Sequence, residues 1–277
     1  MTQSGSRQRS PLTFFVLVFA LAVPFWLLGA LVETPEGFPI ELPLSALQLV
    51  CPLLAASILV YREDGTGGIR RLLARVVRAR GIKPIWYVPI ILVMPAIYLL
   101  AYGLQHLLGR PLPAPQSSFL TVLILCGVFF IAAAAEEAGW TGYALDPLQA
   151  RRGALPAAIV LGLVWALFHL VADLQGPHGL GWIAWHRFGA VALRVLTVWA
   201  YNNTGASVLA AVLLHATDNV GWQLTPINGS SYDPALTAPI TAAAAVVVSF
   251  LWGPKTLARY RYASPATRES PLTRGAS

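Results

Sequence analysis

Few side chains in this sequence could do chemistry, and those few sit where polar groups are costly. An adjacent carboxylate pair, Glu136 and Glu137, ends the apolar run VLILCGVFFIAAAA. His169 follows in LVWALFHL, four residues after Trp165, so indole and imidazole share a helix face. His215 and Asn219 in LLHATDNV are also four apart, with Asp218 beside them. Arg187 and Arg194, seven apart, complete the set. Ionisable groups inside membrane-length apolar runs usually face the bundle interior and mark a working site. Of two neighbouring carboxylates removed from water, one can hold or accept a proton. Such a base, with polar donors from two other helices, could activate water and stabilise the charge that forms on an attacked carbonyl. Each residue alone has a plainer reading. The Glu pair could be an interfacial helix cap, His169 a packed histidine, and His215 with Asn219 an interhelical hydrogen-bond pair. Acids at a helix C-terminus oppose the helix dipole, which counts against the cap.

The elements that must position these residues follow from composition. Of the 277 residues, 56% are hydrophobic and 11% charged, too little charge for a soluble surface. The apolar residues collect into runs of about 20, the length that crosses a bilayer core. In lipid, only helices or closed barrels satisfy the backbone, and barrel alternation is absent from the sequence. The expectation is an all-α, polytopic transmembrane bundle of about eight spans. They fall near 12–32, 43–61, 84–106, 118–136, 154–173, 187–203, 205–224 and 237–254. Residues 1–11 form an N-tail, 12–254 the bundle, and 255–277 a basic, disordered tail. The first run, Leu12 to Val32, is longer than the core of a signal peptide and reads as a retained span. Cys51 and Cys126 lie in apolar runs and read as buried small hydrophobes.

Basic residues orient the bundle. Two lie in the N-tail, seven in 62–83, two at 151–152 and five in the C-tail, which puts sixteen of the nineteen on one side. Arg110 alone lies in a loop of the other side, and the first outer loop holds Glu33, Glu36 and Glu41. Both termini are therefore expected in the cytoplasm, with the protein multi-pass in the plasma membrane. The net charge of +7 is explained by topology, which removes the motive for a nucleic-acid partner. The partners expected are the bilayer and a peptide or protein substrate. Segment 69–80 (IRRLLARVVRAR) reads as an amphipathic helix on anionic lipid. The Glu pair is expected near the cytoplasmic face, within reach of a cytoplasmic tail.

EEAGWTGYAL at 136–145, WALFH at 165–169 and HATDN at 215–219 resemble the EExxxR, FxxxH and HxxxN/D motifs of the CPBP intramembrane proteases. That group includes the type II CAAX prenyl endopeptidases. The resemblance covers about 118–225. It implies an intramembrane endopeptidase in which Glu136 activates water, His169 assists, and His215 with Asn219 stabilises the oxyanion. Glu137 would be a supporting carboxylate. Two positions depart from the motifs. Trp165 stands for Phe, a mild aromatic exchange. Thr141 stands for Arg, and Thr cannot pair with a carboxylate as a guanidinium does. Arg194 or Arg187 could supply that charge from another helix. The resemblance favours a cofactor-free mechanism, with zinc on Glu136, His169 and His215 as the alternative; the His-His pair of helix zinc sites is missing. Two other functions remain open at this point. One is a non-catalytic scaffold or immunity protein on the same fold. The other is a proton-linked transporter, although no internal repeat accompanies it.

Overall fold

The computed structural model describes residues 9–32, 43–114, 117–225 and 230–258. The acidic outer loop, Arg7 and the tail beyond Ala258 lie outside the described residues. Among those described there is no strand. The helices are α1 (Pro11–Leu31), α2 (Cys51–Val77), α3 (Pro84–Leu107), α4 (Phe119–Gly139), α5 (Asp146–Arg152), α6 (Ala154–Gln175), α7 (Leu180–Asn203), α8 (Val208–Gln223) and α9 (Pro234–Trp252). A 3₁₀ segment, Leu44–Val50, leads into α2, and a π-helical segment, Trp140–Leu145, joins α4 to α5.

Local chemistry starts these helices where the sequence changes character. Ser10, Ser118 and Ser207 each accept a hydrogen bond from the backbone N–H three residues on, capping α1, α4 and α8. Asp233 caps α9, with Pro234 at its first position. The first N–H groups of α6 are satisfied by the chain after α9: Ala154 and Leu155 donate to the carbonyls of Lys255 and Pro254 at 2.8 and 3.0 Å.

Eight helical stretches correspond to the eight expected spans. Six are long and apolar enough to cross a membrane. The other two, α7 and α8, carry Arg187, Arg194, His215 and Asp218, and their neighbours shield them. α7 packs against α6 and α9, and α8 against α4 and α3.

Three expectations need correction. The span expected to end at 136 does not end there. α4 runs on through the π segment into α5, so the Glu pair lies inside a continuous helix and caps nothing. The span expected from 187 begins at Leu180, because His178, Trp182 and His186 stack ring on ring at its start. Cys51 is buried as expected, whereas Cys126 is exposed on the bundle surface. The segment expected to lie as an amphipathic helix on anionic lipid is helical as far as Val77, and part of its apolar surface turns to protein. Leu72 and Val76 are buried, and Arg75 donates to the Gly142 carbonyl at 2.8 Å and to the Tyr201 hydroxyl at 2.7 Å. That ties the basic end of α2 to the π segment and α7.

Candidate active site

Four helices bring the polar residues together. α4 carries the Glu pair, α6 carries Trp165 and His169, α7 carries Arg194, and α8 carries His215, Asp218 and Asn219. Two glycines set the spacing. A Cβ at Gly162 would stand 3.1 Å from both the Arg194 Cβ and the Val191 Cα, so α6 and α7 approach closely where Trp165 and Arg194 meet. A Cβ at Gly139 would come within 2.4 Å of the Pro52 carbonyl oxygen, so α4 can press on α2 only without a side chain there.

Glu137 is fully buried, and its hydrogen-bonding capacity is used up. Its two oxygens accept from Nη1 of Arg194 at 2.9 and 2.8 Å. The Thr141 hydroxyl, one turn on, donates to Oε2. His215 Nδ1 stands 3.0 Å from Oε1. A carboxylate held by a guanidinium is an acceptor, so the ring proton is on Nδ1 and His215 turns Nε2 the other way. The Arg194 guanidinium also lies 4.6 Å over the Trp165 ring, a cation–π contact inside the bundle.

Glu136 has different surroundings. Trp165 Nε1 donates to its Oε2 at 2.8 Å. His169 Nε2 faces the same oxygen at 3.7 Å. Among the described residues no side chain donates to Oε1. His169 Nδ1 lies 3.0 Å from the Trp165 carbonyl, which can only accept, so Nδ1 carries the proton and Nε2 is directed at Glu136. The Trp165 ring is edge-on to both histidines, at 5.1 and 5.2 Å between centroids. The exchange of Phe for Trp is therefore not mild: it supplies an N–H that fixes Glu136.

Glu136, His169, His215, Asp218 and Asn219 all border one cavity of about 180 Å³. Asn219 makes no side-chain hydrogen bond among the described residues. Asp218 accepts from the Tyr98 hydroxyl at 2.9 Å. Of the two candidate countercharges, Arg194 reaches Glu137, while Arg187 pairs with Asp173 at 2.7 Å. The cavity leads away from the Glu pair toward the 176–179 loop and the first turns of α7 and α9. This end is opposite the basic residues of 70–80 and 151–152. On the lipid side of Tyr98, a wide apolar groove of about 820 Å³ runs between α3, α4 and α8, with Cys126 in its wall. Tyr98 borders both spaces.

Among the described residues, no three of the His, Cys, Asp and Glu side chains converge as a metal-binding group. His215 and His169 each use Nδ1 within the protein, toward Glu137 and the Trp165 carbonyl, so Nε2 is the nitrogen through which either could ligate.

Residues 117–221 match the family model described as Type II CAAX prenyl endopeptidase Rce1-like. These residues are an Rce1-like protease domain. The chain is also similar to the CAAX prenyl protease 2 of Methanococcus maripaludis, with 23% identity over 245 residues that cover 81% of this chain and 88% of the relative. The Rce1-like domain contains every residue of the cluster described above, from Glu136 to Asn219. With six helices among the described residues long and apolar enough to cross a membrane, the protein is a multi-pass membrane protease.

Sequence reasoning missed part of the cavity wall. Tyr98, His178, Trp182, His186 and Tyr232 were not singled out, although His178, Trp182 and His186 repeat the spacing of four that drew attention to His169 and His215. His186 Nδ1 lies 2.9 Å from the Tyr232 hydroxyl. Tyr98 and Tyr232 come from other elements, and their tertiary placement leaves no local pattern.

Proposed function

We propose that the protein is an intramembrane endopeptidase that hydrolyses a peptide bond in a membrane-associated protein or peptide, without a metal. The observation that carries this reading is the placement of Glu136. Its Oε2 is held by Trp165 and faced by His169, no side chain among the described residues donates to Oε1, and the residue borders the cavity. Glu136 Oε1 takes a proton from water, and the hydroxide so formed attacks the scissile carbonyl. His169 Nε2 takes that proton from Glu136 and passes it to the amide nitrogen, which leaves as the amine when the C–N bond breaks. His215, anchored through Nδ1 to Glu137, and Asn219, with a free amide, offer hydrogen bonds to the oxyanion. His215 does so once Nε2 also carries a proton, and the buried Glu137 carboxylate supports that charge. Glu137 and Arg194 hold the frame and do not touch substrate.

The host membrane in this reading is the plasma membrane, with both termini cytoplasmic. The test is a comparison of membrane-protein C-termini in cells expressing wild type or Glu136→Gln. New C-termini present with wild type and absent with the variant, at equal levels of folded protein, support the reading. A Glu136→Gln protein that gives the same C-termini as wild type overturns it, and altered ion coupling in place of lost cleavage would point to a carrier. Treatment with a strong zinc chelator is expected to leave cleavage unchanged; loss restored by added zinc would overturn the metal-free assignment.

A further inference from the structure

Three acids border the cavity, and the proposed reaction uses only one of them. Glu136 is the base, and Asp173 is paired with Arg187 at 2.7 Å. Asp218 has neither use. Its one side-chain hydrogen bond comes from the neutral Tyr98 hydroxyl, which donates to Oδ1 at 2.9 Å. Among the described residues no side chain donates to Oδ2. The fold supplies an arginine to Glu137 and to Asp173, and none to Asp218. Asp218 lies on α8 within the bundle, where a carboxylate with a single neutral donor lacks the countercharge that such a group requires. Arg187 is the one arginine in the cavity wall and is already engaged, so the wall carries an excess of negative charge.

The position of Asp218 is built by two helices. A Cβ at Gly221 would overlap the Tyr98 ring, so only glycine lets Tyr98 of α3 lie across α8. From there its hydroxyl reaches Asp218, three residues back, and holds it at the cavity wall. Asp218 adjoins Asn219 and follows His215 by three residues, roughly 4.5 Å along the helix. The rings of Tyr98, Trp182, Trp222 and Tyr232 line the same cavity, with Tyr232 5.8 Å from Tyr98 and from Trp182. Aromatic rings attract cations and pack well against the methylene stem of a long basic side chain.

We propose that Asp218 is a specificity-determining residue: its carboxylate receives the ammonium or guanidinium of a Lys or Arg side chain in the substrate. Because Asp218 stands one helical turn from His215, that side chain belongs to a residue at the scissile bond or next to it. The word substrate rests on the protease reading, whereas a cation held at Asp218 does not.

The experiment uses the full chain in phosphatidylcholine nanodiscs. The probes are mixtures of short peptides, blocked at both ends and alike except for one fixed residue, Lys or its uncharged counterpart norleucine. Wild type should cleave the Lys mixture with a kcat/KM roughly 10–100-fold above that for norleucine, the range of one charge-assisted hydrogen bond. Asp218→Asn keeps an acceptor for Tyr98 and removes the charge, and should bring that ratio close to one. Asp218→Glu keeps the charge and should retain a preference for Lys. Wild type that cleaves both mixtures equally overturns the proposal, whether or not the variants fold. So does Asp218→Asn that slows both mixtures together and keeps their ratio, the result expected of a purely structural aspartate. Binding to the Glu136→Gln protein gives a readout without catalysis. The Lys mixture should bind tighter there by a similar factor, and adding Asp218→Asn should remove the difference. Selective binding of Lys with no cleavage by wild type would sink the protease reading and leave the cation site standing. Cleavage with no selectivity for Lys would do the reverse.

Discussion

Glu136 and Glu137 are neighbours in the chain and occupy opposite kinds of environment. Glu137 is enclosed by Arg194, Thr141 and His215 and does not border the cavity. Glu136 receives one protein hydrogen bond, on Oε2, and borders the cavity. A buried carboxylate with all its acceptor capacity used is a structural fixture, because any rearrangement would leave a charge unpaired. A carboxylate with one oxygen tethered and the other without a protein donor is oriented for work on a small molecule. The contrast teaches that an acid pair in a membrane helix can be divided into a fixed half and a reactive half by what the neighbouring helices supply.

The comparison can be broken at several points. Glu136→Gln should lower the rate of cleavage by about 10²–10⁴-fold, the usual contribution of a general base, with the melting temperature within a few degrees of wild type. A large fall in stability would mean that Glu136 is structural too. Arg194→Met should destabilise the protein by about 3–5 kcal/mol, because it leaves Glu137 buried and unpaired. The double variant Glu137→Gln with Arg194→Met should recover much of that loss in a denaturation assay, since a neutral pair removes the uncompensated charge. No recovery would show that the pair is not coupled. Thr141→Val removes one donor to an ionised group and should cost about 1.5–3 kcal/mol of stability. Trp165→Phe restores the ring and removes its N–H. A loss of about tenfold in cleavage with little change in unfolding midpoint is expected, on the order of one hydrogen bond. An unchanged rate would show that Glu136 does not need the tether.

Much of this architecture was legible in the sequence. Runs of about 20 apolar residues located the helices, and the spacing of four put His215 and Asn219 on one face of α8. The Thr141 departure was also visible, together with the need for a cation from elsewhere. The choice between Arg187 and Arg194 was not, because both lie near one face of α7 and only packing decides. Arg194 sits at the height of Gly162, where α6 comes close, and Arg187 sits higher, opposite Asp173. The extension of α4 past Glu137 was hidden for a related reason. Hydropathy falls at the carboxylates, and nothing local shows that other helices will satisfy them. The value of Trp165 was underestimated because its ring suggested packing, whereas its N–H is what reaches Glu136. The cavity's outline depends on several helices and loops at once.

The pairing of Glu137 with Arg194 also has a consequence in time. The two residues are 57 positions apart in the chain. At synthesis rates of roughly 5–20 residues per second, about 3–11 s separate the appearance of the acid from that of its cation. During that interval α4 has only the Thr141 hydroxyl to offer the carboxylate. In the motif this segment resembles, an arginine at that position would leave the ribosome four residues after the acid. With Thr there, charge neutralisation passes from a single helix to the assembly of two, and α4 must wait, partly inserted or shielded, until α7 arrives.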